Sequence, residues 1–346
     1  MKHQTTRYGE IPFYKIGTFG NTADAFISKK LFLEYKTKYS FPKKGDILIS
    51  ASGTIGRAVI YDGKPAYFQD SNIVWIDNDE TLVKNDFLFY AYSNVKWNTE
   101  HTTILRLYND NFRNTLIPLP PLNEQIAIAN ILSGLDRYLC ALDALILKKE
   151  GVKKALSFEL LSQRKRLRGF NQAWQRVRLG DIANYLTSNL SAEQITQQGK
   201  IKVYDVNNFI GYTDTTFISD KPYISIVKDG SVGRVRILPP KTNILSTMGA
   251  LIANHKTTTE FLFYLLSNFD FKNFTSGSII PHIYFKDYKE KTIFLPPLNE
   301  QIAIANILST LDNEITSLKN KKRQFENIKK ALNHDLMSAK IRVLKK

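Results

Sequence analysis

The sequence predicts an α+β protein in which two domains of mixed β-sheet and short helices are separated by two long antiparallel helices, forming a pseudo-two-fold repeat. Three observations carry this. The stretch Leu119–Ser133 returns unchanged as Leu295–Ser309, 176 residues later. From each copy runs a train of apolar residues at steps of three and four, sustained for about four heptads. The stretches before each train hold short Ile-, Val- and Tyr-rich runs between glycine turns, the mark of strands and hairpins.

The elements follow in order. The first variable domain spans 1–121. Within it Lys44–Ser50 and Ala58–Tyr61 read as strands joined by a turn at Gly53-Thr-Ile-Gly-Arg57, and Asp86–Tyr92 reads as a short buried helix. Residues 122–168 form the first long helix. Asn123 suits the N-cap after Pro120-Pro121, Glu124 suits the positive helix end, and Ile128, Ile131, Leu135, Tyr138, Leu142, Leu145, Lys149, Val152 and Leu156 form its stripe, widened by Leu132, Leu139 and Ile146. The second variable domain, 169–297, repeats the plan. Tyr223–Val227 and Val235–Leu238 are strands around Gly230-Ser-Val-Gly-Arg234, and Glu260–Leu266 is a helix. Residues 298–346 form the second long helix, with Ile304, Ile307, Leu311, Leu318, Phe325, Ile328 and Leu332 in its stripe and Ile315 on the flank. Each helix is expected to run ~45 residues, or ~65 Å. A stripe this long needs more than one small domain to cover it, so the two helices are expected to pair as a coiled coil. The intervening domain favours an antiparallel arrangement.

The copies are not equal. Phe26-Ile-Ser28 lines up with Phe217-Ile-Ser219, and the offset changes around it, which places an insertion near Lys29–Pro42 of the first copy. Trp174–Ile182 opens the second domain, and nothing like it precedes Tyr8, so the first domain reads as N-terminally short. Its missing edge is either supplied by the C-terminal part of the chain or absent.

Composition narrows the function. The 346 residues are 43% apolar and carry a net charge of +16. That charge favours a polyanionic partner, nucleic acid before membrane. No apolar run reaches the length of a spanning helix, and Met1-Lys-His-Gln lacks a signal-peptide core, so a cytoplasmic protein is expected. The single cysteine, Cys140, is expected to be a small buried helix residue. The five histidines (His3, His101, His255, His282, His334) have no metal-ligand spacing. No phosphate-binding loop, nucleophile elbow or convincing carboxylate pair is present, so the chain is expected to perform no chemistry itself and to bind no cofactor.

Candidate nucleic-acid contacts cluster near the turns: Lys44, Ser52, Thr54, Arg57, Arg106, Asn109, Asn111 and Arg113 in the first domain, and Ser231, Arg234, Arg236, Ser276, Ser278 and His282 in the second. A glycine-bounded turn can bring backbone amides to a phosphate or an arginine to a base edge. It can equally be an ordinary hairpin turn, and the sequence leaves the two readings open. The lysine and arginine runs on the long helices (Lys148-Lys149, Lys153-Lys154, Arg164-Lys-Arg166, Lys319, Lys321-Lys-Arg323, Lys329-Lys330, Lys345-Lys346) read first as solvated faces, and together they can line a phosphate groove.

The two Leu-Pro-Pro-Leu-Asn-Glu-Gln helix openings, the two Gly-[Thr/Ser]-[Ile/Val]-Gly-Arg turns and the Trp174–Ile182 opening together resemble the specificity subunits of type I restriction-modification systems, over essentially the whole chain. The resemblance implies two target recognition domains, each reading half of a bipartite, asymmetric double-stranded DNA site, and a coiled coil that fixes the spacing. It also implies a complex with two methyltransferase subunits, which use S-adenosylmethionine on adenine, and two restriction subunits, which use ATP and Mg²⁺. The residues kept between copies, Asn123, Glu124, Gln125, Ile128, Ile131 and Leu135 with Asn299, Glu300, Gln301, Ile304, Ile307 and Leu311, would then dock the methyltransferases or hold the coiled coil. Removing one helical turn from both helices is expected to shorten the preferred spacer. The competing readings are a stand-alone methyltransferase or nuclease, a non-catalytic architectural or decoy DNA binder of the same fold, and a member of the family with a crippled first domain.

Overall fold

The computed structural model describes residues 4–68, 72–97 and 106–344; His3, His101, Lys345 and Lys346 lie outside the described residues. The chain divides into two units, 1–143 with 320–346, and 144–319. Each unit therefore holds one variable domain with one part of each long helix.

In the first unit, β1 (Ile11–Tyr14) pairs antiparallel with β2 (Ala25–Ile27). Next comes α1 (Lys29–Lys38), begun by Ser28, whose hydroxyl accepts the Leu31 N–H at 3.2 Å. This helix is the insertion that the sequence comparison places here. Then β3 (Ile47–Ser50) pairs antiparallel with β4 (Ala58–Ile60), β5 (Tyr67–Phe68) joins β1 in parallel, and β6 (Ile73–Trp75) closes on β3. The helix α2 (Asn85–Tyr92), the single turn α3 (Asn109–Arg113) and the long α4 (Leu122–Leu161) follow.

The second unit opens with β7 (Gln175–Arg178) and β8 (Ala183–Thr187). The first unit's plan then recurs. β9 (Ile201–Tyr204) takes β10 (Phe209–Thr213) antiparallel, while β11 (Tyr223–Val227) takes β12 (Val235–Leu238). β13 (Thr242–Ile244) joins β9 in parallel, and β14 (Met248–Ala253) closes on β11. After α5 (Thr259–Ser267) come the short hairpin of β15 (Thr275–Ser276) and β16 (His282–Ile283), α6 (Phe285–Tyr288), β17 (Thr292–Leu295) and α7 (Leu298–Met337). β8 pairs with the outer edge of β14, and β7 pairs with β17.

Several expectations need correction. Phe26–Ser28 and Phe217–Ser219 are not equivalent: Ile27 faces Ile11, and the matching partner of Ile201 is Thr213, so Phe217 lies beyond β10. The long helices have 40 residues each, about 60 Å, and both stop at a left-handed residue, Gln163 and Ala339. They begin at Leu122 and Leu298, so Asn123 and Asn299 sit inside the first turn. Their side-chain oxygens accept the N–H of Glu124 and Glu300 at 2.9 Å, while Pro121 and Pro297 occupy the cap positions. Cys140 is exposed on α4.

The buried stripe is narrower than the one read from the sequence, which on the first helix already held Ile128, Leu132, Leu142 and Ile146. Ile128, Leu132 and Leu142 are buried in the first unit, and Ile146, Ile304, Leu308 and Ile315 in the second, whereas Ile131, Leu145, Val152 and Ile328 are exposed. Leu135, Ile307 and Leu311 are half-buried. The reason is that the long helices serve two neighbours at once. Ile128 and Leu132 share a core with Phe87, Tyr90 and Ala91 of α2 as well as Leu336 and Met337 of α7. The stripe therefore turns toward the domain helix, keeping the Leu132 side of the broader stripe and leaving Ile131 outside.

Candidate nucleic-acid interface

The same frame supports the tip of each unit. In the first, the Tyr90 hydroxyl donates to Asp136 at 2.7 Å, Lys329 pairs with the other Asp136 oxygen, and the Lys329 ammonium lies 5.7 Å from the Tyr90 ring. In the second, Tyr264 donates to Asp312 at 2.9 Å, Lys153 pairs with Asp312 at 2.5 Å, and its ammonium lies 5.8 Å from the Tyr264 ring. Each triad ties a domain helix to both long helices. Burial, then the aspartate hydrogen bond and charge, push both tyrosines well above their ordinary range, so both remain donors. Within the first unit Lys322 pairs with Asp143, and within the second Lys149 pairs with Glu314, which fixes α4 and α7 as antiparallel inside each unit.

Buried glutamines clip the helices to their domains. Gln125 accepts the Lys84 N–H at 2.8 Å and donates to the carbonyls of Leu82 and Pro120. Gln301 accepts from Thr257 and Thr258 and donates to Lys256 and Pro296. Next to them, Glu124 accepts two guanidinium N–H groups of Arg342, and Glu300 accepts two of Arg166. The Arg342 hydrogen bond, then its charge, hold the Glu124 carboxyl below its ordinary range. Residues Glu124, Gln125, Ile128, Glu300, Gln301 and Ile304 are thus occupied inside the chain. Exposed on the same repeated block are Leu122, Asn123, Ile126 and Ile131, with Leu298, Asn299 and Ile302 in the second copy.

The glycine turns have a shared build. Gly53 and Gly56, and Gly230 and Gly233, all have positive φ. In each hairpin the second glycine N–H closes the turn, Gly56 to Ser50 at 3.0 Å and Gly233 to Val227 at 2.9 Å. A side chain at Gly56 would strike Trp97, and one at Gly233 would strike Phe271. The second glycine is therefore required so that an aromatic ring can lie on the backbone. That supports the ordinary-turn reading for the glycines themselves, and leaves the exposed Thr54 and Ser231 at the tips.

Beside each turn lies a second strand. A backbone bridge joins Ser52 to Arg106, and the equivalent bridge joins Asp229 to His282, reinforced by His282 Nδ1 and Asp229 Oδ1 at 2.7 Å. In the second unit this brings Ser231 and Arg234 alongside the β15–β16 hairpin with Ser276, Ser278 and the half-buried His282, flanked by exposed Tyr284 and Lys286. In the first unit Thr54, Arg57 and Arg106 take the same places.

Other candidates have structural partners. Ser52 is buried and donates to Asn72 at 2.7 Å. Arg57 donates to the Phe19 carbonyl at 2.9 Å, and Arg236 to that of Asn207 at 2.8 Å while lying over Tyr204. Asn111 accepts the Tyr108 N–H at the start of α3. Asn109 and Arg113 are exposed on α3, with Arg113 near Asp110, and Lys44 is exposed beside Gly63, away from these tips in sequence. The sequence reading missed Tyr90, Asp136 and Lys329 as a set. Each lies in a repeated stretch, and the signal available was that Tyr, Asp and Lys recur together at nearly one offset.

The family described as the type I restriction modification DNA specificity domain matches residues 1–149 and 171–327. The chain belongs to this family. Among its relatives, a specificity subunit of Haemophilus influenzae, provisionally named as a type I restriction enzyme component, is 65% identical over 137 residues; the match covers 39% of this chain and 36% of that protein. The MjaX specificity subunit of Methanocaldococcus jannaschii, also provisionally named, is 29% identical over 335 residues, covering 86% of this chain and 79% of its own length. The crystal structure of the type I S subunit from M. genitalium matches with a TM-score of 0.65 at 20% identity, covering 97% of this chain and 91% of that one. That likeness shows a shared fold. The family assigns this specificity subunit to DNA sequence recognition within a type I restriction-modification system. Among the described residues, no helix is long and apolar enough to cross a membrane.

Proposed function

We propose that this specificity subunit reads a two-part, asymmetric double-stranded DNA target, one part per unit, and performs no catalysis of its own. The observation that carries this is the contrast between frame and tip. Tyrosine–aspartate–lysine triads, glutamine clips and glycine turns are the same in both units. The side chains presented beside them differ: Thr54 and Arg106 against Ser231 and His282. Lysines and arginines near the tips hold phosphates and set register, while hydroxyl, imidazole and guanidinium groups meet base edges. Different tips on one frame read different half-sites.

The repeated exposed residues Leu122, Ile126, Leu298 and Ile302 supply two similar apolar patches for two copies of one partner, the methyltransferase subunit. On this reading S-adenosylmethionine, ATP and Mg²⁺ act on the methyltransferase and two restriction subunits, in the cytoplasm, and none is bound by this chain. The test is sequencing of adenine methylation in a host expressing the chain with its methyltransferase. One split motif with unlike halves is expected; unmethylated DNA in the presence of a DNA-bound chain would support the architectural reading instead.

A further inference from the structure

At the tip of the second unit one acidic side chain faces one imidazole. Asp229 and His282 stand directly opposite each other across a backbone bridge. The Gly230 N–H donates to the Pro281 carbonyl and the Ile283 N–H to that of Lys228, each at 2.9 Å, so the backbone bonds flank the pair. That is the non-hydrogen-bonded kind of antiparallel pair, whose two side chains approach most closely on one face. Asp229 Oδ1 and His282 Nδ1 accordingly lie 2.7 Å apart. A carboxylate accepts, so Nδ1 carries the proton between them. The other flank of the ring is closed by Gly277, where a Cβ would come within 3.0 Å of His282 Cδ2. The Tyr284 ring stacks beside it, with centroids 6.5 Å and planes 23° apart. Among the described residues Nε2 has no hydrogen-bond partner.

The first unit shows why an acid belongs at this place. The counterparts there are Ser52, which donates to Asn72 instead, and Arg106. A guanidinium carries donors along its whole edge and needs no neighbour to choose among them. An imidazole has two unlike nitrogens, and half a turn of the ring puts a carbon, Cε1, where Nε2 stood. The change from serine to aspartate therefore accompanies the change from arginine to histidine. A carboxylate free at a surface that meets phosphates would repel them, whereas this one is half-buried and bound to the ring. We propose, given the reading of this tip as a half-site reader, that Asp229 is a positioning residue. By holding the Nδ1 proton it fixes both the rotation and the tautomer of His282, and leaves Nε2 as the ring atom that meets a base edge.

The test is the adenine methylation map, read base by base, of a host expressing the full chain with its methyltransferase. H282A is expected to lower the preference at one position of one half-site by about tenfold or more. D229A and D229S, the latter copying the first unit, are expected to relax that same position and no other. D229A/H282A should match H282A alone, because the two side chains act as one unit. In nitrogen-15 NMR of the DNA-free chain at mildly alkaline pH, the proton should sit on Nδ1 of His282 and leave it in D229A. Amide exchange at Gly230 and Ile283 in D229S should match the parent; faster exchange there would make Asp229 a residue of the hairpin's fold and overturn the proposal. An unchanged preference in both Asp229 variants where H282A relaxes it also overturns it, as do additive losses in the double variant or relaxation of the whole half-site. An H282A map identical to the parent's would remove the base contact itself, and with it the reading on which the positioning role stands.

Discussion

Asp136 and Asp312 each hold two donors at once, a tyrosine hydroxyl and a lysine ammonium. Replacing either with alanine leaves both donors without their acceptor. Because these groups are partly solvated, the loss should be moderate, ~1–2 kcal/mol per site. Thermal unfolding of D136A, D312A and the double variant checks this. The sites lie in different units, so the two effects should add. Glu124 offers a pH test. Arg342 depresses its carboxyl below the ordinary value of 4.5, so its contribution is present above that value and is lost as pH falls through the depressed one. The melting temperature should drop as the solution is acidified below about pH 4.5, and E124Q should flatten that part of the profile. An unchanged profile in E124Q would show that the pair with Arg342 contributes nothing to folding. These residues were half-legible in the sequence. Their recurrence was visible, but a repeat shows only that a residue is kept, and the partner of a side chain lies across the fold.

At the scale of elements, the hairpins, the domain helices and the existence of the long helices were all readable, because glycine turns and apolar periodicity are local signals. The face of the long helices was readable only in part. Ile131 and Ile328 fit the heptad count yet lie exposed, because α2 draws Ile128 and Leu132 inward. The insertion was visible as a change of offset, but its helical form was not. The exposed half of the repeated block carries the docking proposal. I126R and I302R should each leave the unfolding free energy within about 0.5 kcal/mol of the parent, as surface changes usually do. Each should reduce the methyltransferase recovered in a co-purified complex, and together they should abolish it. Full recovery with both changes would place the partner elsewhere.

For the whole molecule, the duplication gives two units with one frame and unlike tips, and the proposed function makes each of them the reader of one half of a split, asymmetric target. It also makes the units separable in function: altering one tip should leave the half-site read by the other untouched. Glycines at the tips serve the aromatic rings of Trp97 and Phe271, and the proposed reading assigns the base contacts to their neighbours and to the adjoining strand. The direct measurement is the adenine methylation map of a host expressing the chain with its methyltransferase, beside the same host with S231A/H282A. One bipartite motif with different halves is expected, and in the variant a relaxed or lost preference in one half only, with a discrimination loss of ~1–3 kcal/mol per contacted base pair. A contiguous or palindromic motif, or a variant that relaxes both halves equally, would contradict it.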